Sequence, residues 1–169
     1  MLRASMFGDF GNKIARLRNG VNTYSIGLLQ AKAFRILKKH TREYLEPHDL
    51  ATIDWALLGA LYRQDDGHTF GELSSIMGVR APYITRMIKK LSAQSLVQVL
   101  HNKEDRRTKI VRLTKGGRDL VEAVEKGLRS HMRSVMKGVS ARDVLGYIAV
   151  LRHIVDNAPD DVVDDPYTF

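Results

Sequence analysis

Residues 69–117 read TFGELSSIMGVRAPYITRMIKKLSAQSLVQVLHNKEDRRTKIVRLTKGG. Thr69, with Glu72 three residues on, has the pattern of a capping box, in which hydroxyl and carboxylate satisfy each other's backbone amides at a helix start. Phe70, Leu73, Ile76 and Met77 give that helix an apolar face. Gly78 allows the left-handed residue that ends a helix, and Val79 fills the corner. Pro82 suits the first turn of a second helix, which the spacing predicts over about 81–94. Helix, glycine-containing turn and helix is the helix-turn-helix arrangement.

At about 100° per residue, Ile84, Met87, Ile88 and Leu91 fall on one face of the second helix. Pro82, Arg86 and Lys89 fall on the opposite face, flanked by Thr85 and Lys90, with Tyr83 at the margin. Such a helix fits the major groove of double-stranded DNA, with Pro82, Thr85 and Arg86 towards bases and Lys89 and Lys90 towards phosphates. Taken alone, the same face also describes an ordinary solvated surface.

The hairpin pattern beyond this helix separates the two readings. Val97 and Val99 alternate with Gln98 and Leu100, a charged turn covers 102–108, and Lys109 to Leu113 return. A hairpin over about 97–113 therefore carries Arg106 and Arg107 at its tip, where an arginine fits the narrow minor groove of A·T-rich DNA. Asp105 is expected to brace an arginine, since phosphate would repel it.

The charge distribution points the same way. The chain has 169 residues and a net charge of +8. Residues 67–118 hold eleven Lys and Arg against three acids, and the remainder is balanced at sixteen of each. All the excess sits in one segment, as phosphate neutralisation and steering require.

Outward from this segment lie apolar helices. Ile26, Leu29, Ala33, Leu37, Thr41 and Tyr44 recur at helical spacing over 22–48, with Pro47 ending the run. Leu50, Ile53, Leu57 and Leu61 mark a second helix, from about 49 to 63, and Trp55 lies off its stripe. Behind the hairpin, Leu120, Val124, Leu128, Met132, Val135 and Met136 predict a long helix over about 115–137. Ser140 is placed to cap a last helix, over about 141–157, that buries Val144, Tyr147, Ile148, Leu151, Ile154 and Val155. First and last helices that are apolar over so many turns exceed what a small reading domain needs, and a homodimer built from the two chain ends would use them. The expected organisation is an arm or short helix over 1–21, a dimerisation helix over 22–48 and a reading domain over 49–117. Dimerisation helices over 118–157 and an acidic tail over 158–169 complete it.

The segment DRRTKIVRLTKGG resembles the wing signature of the MarR family of winged-helix regulators. That pattern runs aspartate, any residue, arginine, then Leu-Thr six and seven places beyond the arginine and a glycine three further on. Asp105, Arg107, Leu113, Thr114 and Gly117 occupy those places. TFGELSSIMGVRAPYITRMIKKLSAQSLV and IDWALLGAL are also similar to family segments, so the likeness runs from about Gly27 to Asn157. It implies a mainly α protein with a small β-hairpin: a winged helix-turn-helix domain plus a helical dimerisation region formed by the terminal helices. Such a homodimer would bind a palindromic operator as a repressor, with half-sites about 10–10.5 base pairs apart. Two places depart from the pattern: Arg80 and Ala81 stand where a capping serine or aspartate is frequent, and Ser95 replaces a frequent glycine.

Many relatives release DNA when a small aromatic or phenolic ligand binds, and the candidate effector residues are Arg35, His40, Tyr44 and Trp55. An arginine or histidine would meet a carboxylate; core packing of Tyr44 and Trp55 is the plainer role. No cysteine is present, which excludes disulfides and thiol sensing. The six histidines show no paired i, i+4 spacing, so no metal and no cofactor is expected. No nucleophile motif or phosphate loop argues for an enzyme. No apolar run reaches the roughly 18 residues of a membrane span and no signal-peptide pattern opens the chain, so the expected compartment is the cytoplasm. The alternative function is a winged-helix protein-interaction module without specific DNA reading.

Overall fold

The computed structural model describes residues 23–101 and 108–158. The expected arm, the hairpin tip and all but Ala158 of the acidic tail lie outside them. The chain forms two compact units, residues 1–40 and 41–169. Helix α1 (Thr23–Leu45) begins in the first unit and ends in the second. In the first unit its side chains are largely solvent-facing, Tyr24, Leu28, Leu29, Phe34 and Ile36 among them.

The second unit builds its core around α2 (Thr52–Tyr62), which comes after a single 3-10 turn over Glu46–His48. Leu57, Leu58 and Leu61 of α2 are buried with Leu45 and Leu50, as the apolar spacing requires. Two short helices, α3 (Phe70–Met77) and α4 (Ala81–Ala93), pack Leu73 and the inner face of α4 onto that cluster. Ile76, expected on the apolar face of α3, instead stands 53% exposed, because the side of α3 that packs on the core runs through Phe70, Leu73 and Met77.

The predicted hairpin is β2 (Val97–His101) paired antiparallel with β3 (Lys109–Leu113), Val97 opposite Leu113 and His101 opposite Lys109. A third strand, β1 (His68–Thr69), adds to the other edge of β3 with His68 opposite Val111. Two residues are too few to show an alternating pattern. Gly67 makes the approach possible: it adopts φ 77°, and a Cβ there would lie 2.3 Å from the Val111 carbonyl oxygen.

Thr114 caps α5 (Lys115–His131), its hydroxyl accepting the Gly117 amide at 2.9 Å. The same hydroxyl donates to the Ser95 carbonyl at 2.7 Å, and the Thr114 amide donates to the Leu96 carbonyl at 3.0 Å. Gly117 sits directly on that carbonyl, where a Cβ would come within 2.0 Å of the Leu96 oxygen. Helix α5 ends at His131, short of the expected Lys137. Beyond it i→i−3 and i→i−4 bonds mix, Arg133 to Ser130 at 3.2 Å, Met136 to Met132 at 3.0 Å and Lys137 to Ser134 at 3.4 Å, until Gly138 turns at φ 85°. Ser130 and Ser134 lie in this stretch, and serine is a weak helix former.

Helix α6 (Ala141–Asn157) begins at Ser140, whose hydroxyl accepts the Asp143 amide at 3.2 Å. Its expected buried stripe is not buried by this chain: Val144 and Leu151 are half-buried, and Tyr147, Ile148, Ile154 and Val155 are exposed. The periodicity is present, and the surface to cover it is not among the described residues.

Gly116 and Gly117 should respond in opposite ways to alanine. Gly116 is open, with Thr114 Oγ1 at 3.8 Å from a built Cβ, so Gly116→Ala should stabilise by about 0.5–1 kcal/mol through helix propensity. Gly117→Ala must push the Leu96 carbonyl away and should destabilise by about 1–3 kcal/mol. Thermal unfolding of the two variants gives the comparison, and equal shifts would show that the Leu96 contact is not tight.

Candidate nucleic-acid interface

The outward face of α4 is presented by what its inner face buries. Ile84 and Leu91 are fully buried and Met87 and Ile88 nearly so, which turns Pro82, Thr85, Arg86 and Lys89 to solvent. The preceding turn fixes where the helix begins. Thr69 Oγ1 accepts the Glu72 amide at 3.2 Å, and the Glu72 carboxylate accepts the Thr69 amide at 2.7 Å, so the capping box forms as the sequence indicates. Gly78 takes φ 62° and Val79 is buried beneath it. Ser74 donates its hydroxyl to the Val79 carbonyl, which ties the end of α3 across the turn.

Arg80 stands at the N-cap of α4 without a side-chain cap bond, so the departure from a serine or aspartate there leaves the helix start uncapped by its own residue. Thr85 donates to the Ala81 carbonyl at 3.1 Å, and the Arg86 guanidinium lies 5.3 Å from the centre of the half-buried Tyr83 ring. Lys90, expected on phosphate, keeps its side chain 41% exposed while bonding within the fold. Its ammonium lies 2.7 Å from the Asp54 carboxylate and 3.1 Å from the Asp49 carbonyl. Asp54 is 3% exposed and also accepts the Ala51 amide at 2.9 Å.

Two further cations of the basic segment are engaged by the fold. Arg112 binds the Asp66 carbonyl at 2.6 Å and its carboxylate at 3.4 Å. Arg118 pairs with Asp65 and lies 5.1 Å from the centre of the Tyr62 ring. The Tyr62 hydroxyl donates to Glu122 at 3.0 Å, a bond that raises its pKa above the ordinary phenol value. Asp54, Asp65 and Asp66 precede residue 67, so a count over the basic segment alone does not include them. Their one sequence signal is Asp54, a lone acid inside an apolar stripe.

Asp105, Arg106 and Arg107 lie outside the described residues. The four candidate effector residues divide between the two units. In the first, Arg35 is exposed and His40 half-buried. In the second, Trp55 packs at the margin of the core, and Tyr44 lies with its ring centre 5.7 Å from that of His48 and 5.4 Å from that of His131. The Tyr44 hydroxyl occupies the space beside Gly127 of α5, where any Cβ would collide with it.

The sequence pattern of the MarR family matches residues 54–109, from α2 to the return strand of the wing. The transcriptional activatory protein BadR of Rhodopseudomonas palustris is 30% identical over 125 residues, covering 72% of this chain and 71% of BadR. The chain belongs to the MarR family. Two solved structures share its fold. CouR from Rhodococcus jostii, bound to p-coumaroyl-CoA, superposes with a TM-score of 0.72 at 20% identity, over 79% of this chain and 94% of CouR. A mutant of MarR from E. coli, complexed with operator DNA, superposes with a TM-score of 0.65 at 24% identity, over 77% of this chain and 93% of that one.

Within this MarR-family fold the wing signature has a structural meaning. Thr114 and Gly117 join the residues after α4 to the start of α5. Ser95, at the frequent-glycine position, is held left-handed at φ 58°, and the Thr114 bond to its carbonyl helps to keep it there.

The capping box makes the helix-turn-helix sensitive to acid. The Thr69 amide holds the Glu72 carboxyl below the usual glutamate range, with His68 adding to the effect. A carboxyl lowered in the folded state stabilises above its unfolded pKa, and that contribution disappears as pH falls through the folded value. Glu72→Gln should therefore be less stable than wild type at neutral pH, with the gap closing in acid. A gap that stays constant through the titration would remove Glu72 from this role.

Proposed function

We propose that this MarR-family transcriptional regulator acts as a homodimer that binds a palindromic operator in double-stranded DNA and represses until a small aromatic or phenolic ligand releases it. The observation that carries the reading is the outward face of α4, where Pro82, Thr85, Arg86 and Lys89 are exposed over a fully packed inner face. Arg86 is assigned to a guanine edge, where paired hydrogen bonds give roughly 1–3 kcal/mol of discrimination. Pro82, Tyr83 and Thr85 lie beside it at the amino end, and Lys89 meets phosphate. Arg106 and Arg107 extend the contact into the minor groove, with Asp105 as their brace. The domain boundaries expected from the sequence go with this assignment. Residues 49–117 form the reading domain, and 22–48 with 118–157 form the dimerisation helices.

Dimerisation is supported by apolar surface that the single chain leaves in water. Leu145, Tyr147, Val150, Ile154 and Val155 are each more than half exposed on α6. Lone exposed apolar residues are ordinary, but five on one helix indicate a covered face. Ligand release is supported by CouR, solved with p-coumaroyl-CoA bound, and Arg35, His40, Tyr44 and Trp55 remain the assigned effector residues. Among the described residues, no helix is long and apolar enough to cross a membrane.

Sedimentation equilibrium should give the mass of two chains for wild type and of one chain for Leu145→Glu/Ile154→Glu. A wild-type monomer would end the dimer assignment. A duplex enriched by the protein from a randomised library should bind with affinity that falls steeply with salt, and Arg86→Ala should weaken it by about 1–3 kcal/mol while relaxing selection at one position. Equal affinity for the enriched and a scrambled duplex would favour the protein-interaction alternative.

A further inference from the structure

We propose that Asp54, Lys90, Asp49 and Gln94 form a positioning joint that sets the angle of the recognition helix. Specific DNA reading then depends on a buried carboxylate that touches no DNA. The proposal rests on the DNA-reading function proposed above.

The joint is built at the carboxyl end of α4. Lys90 spans from that helix to the Asp54 carboxylate at 2.7 Å and to the Asp49 carbonyl at 3.1 Å. One turn on, the Gln94 amide nitrogen donates to the Asp49 carboxylate at 2.6 Å. Asp49 is held left-handed at φ 53°, with its amide on the Glu46 carbonyl at 3.0 Å, and the Leu50 amide reaches the Leu45 carbonyl at 3.4 Å. The recognition helix is therefore tied by charged and polar bonds to the turn that ends α1, and by Asp54 to the first turn of α2. The inner apolar face of α4 fixes its depth, but dispersion contacts are non-directional and leave its pitch loosely determined. Two directional anchors at one end determine the pitch, and base contacts at the other end depend on it.

Electrostatics and positioning predict opposite signs. Asp54→Asn deletes a negative charge next to a DNA-reading helix and frees an ammonium, so charge alone predicts tighter binding. A positioning role predicts weaker binding to the enriched duplex, by about tenfold or more, with little change for a scrambled duplex. Lys90→Met should give the same loss with an unchanged salt slope, whereas a phosphate-contacting Lys90 would lower the slope by about one. The double variant should lose no more than either single one.

Fluorescence anisotropy across a salt series, with thermal unfolding of each variant, carries the test. If Asp54→Asn does not fold, Gln94→Met, at the half-buried far end of the joint, is read instead and should weaken specific binding in the same selective way. Unchanged or tighter binding to the enriched duplex in the folded variant overturns the joint. A wild-type protein that does not distinguish enriched from scrambled duplex overturns the DNA-reading function itself, and the joint with it.

Discussion

Where the backbone after α4 meets the first turn of α5, there is no room for a side chain. Gly117 lies so close to the Leu96 carbonyl that a Cβ would fall 2.0 Å from the oxygen. That contact brings Thr114 into position to bond backward to Ser95 and forward to Gly117 with one hydroxyl. Three elements meet there: the end of α4, the strand β2 and the start of α5. The relative placement of α4 and the wing sheet is therefore built into covalent geometry and three hydrogen bonds. Packing of movable side chains alone would leave it looser.

Within that frame, the basic segment separates into cations that hold the fold and cations that face outward. Lys90, Arg112 and Arg118 each meet an acid from the region just before the helix-turn-helix. These pairs differ in weight. Asp66 and Asp65 are largely exposed, so their pairs with arginine contribute little in water. Asp54 is buried and would be costly without Lys90, because an uncompensated interior carboxylate has no solvent to turn to. A net charge counted over the basic segment alone overstates what is available to a polyanion, since three of its cations pair with acids that lie before it.

The residues that repeat were legible in the sequence, and so were those that cap. Thr69, Glu72, Gly78 and Ser140 do what their positions suggest, because capping depends on neighbours three or four residues away. The inner face of α4 is set by period alone. What escaped reading depends on distant partners or on too few residues. β1 is two residues long, and the bonding of Lys90 within the fold requires Asp54, which is thirty-six positions earlier. The end of α5 at His131 escaped for a different reason: the apolar spacing continues through Met136, while the backbone beneath it stops winding as an α-helix.

That mismatch between pattern and burial bears on what the chain ends are for. A stripe of apolar residues costs free energy in water unless something covers it, at about 25 cal/mol per Å². Helix α6 keeps such a stripe through Val155 and buries none of it fully, while the reading unit completes its core without drawing on α6. A helix kept only for monomer stability would need one apolar side facing that core. The exposed apolar positions on α6 instead spread over more than half of its circumference, from Val150 through Ile154, Tyr147 and Val155 to Leu145. Cover from more than one direction is what a partner chain supplies when its helices pack on both sides. The core that accounts for the inner face of α4 therefore does not account for the apolar pattern of α6.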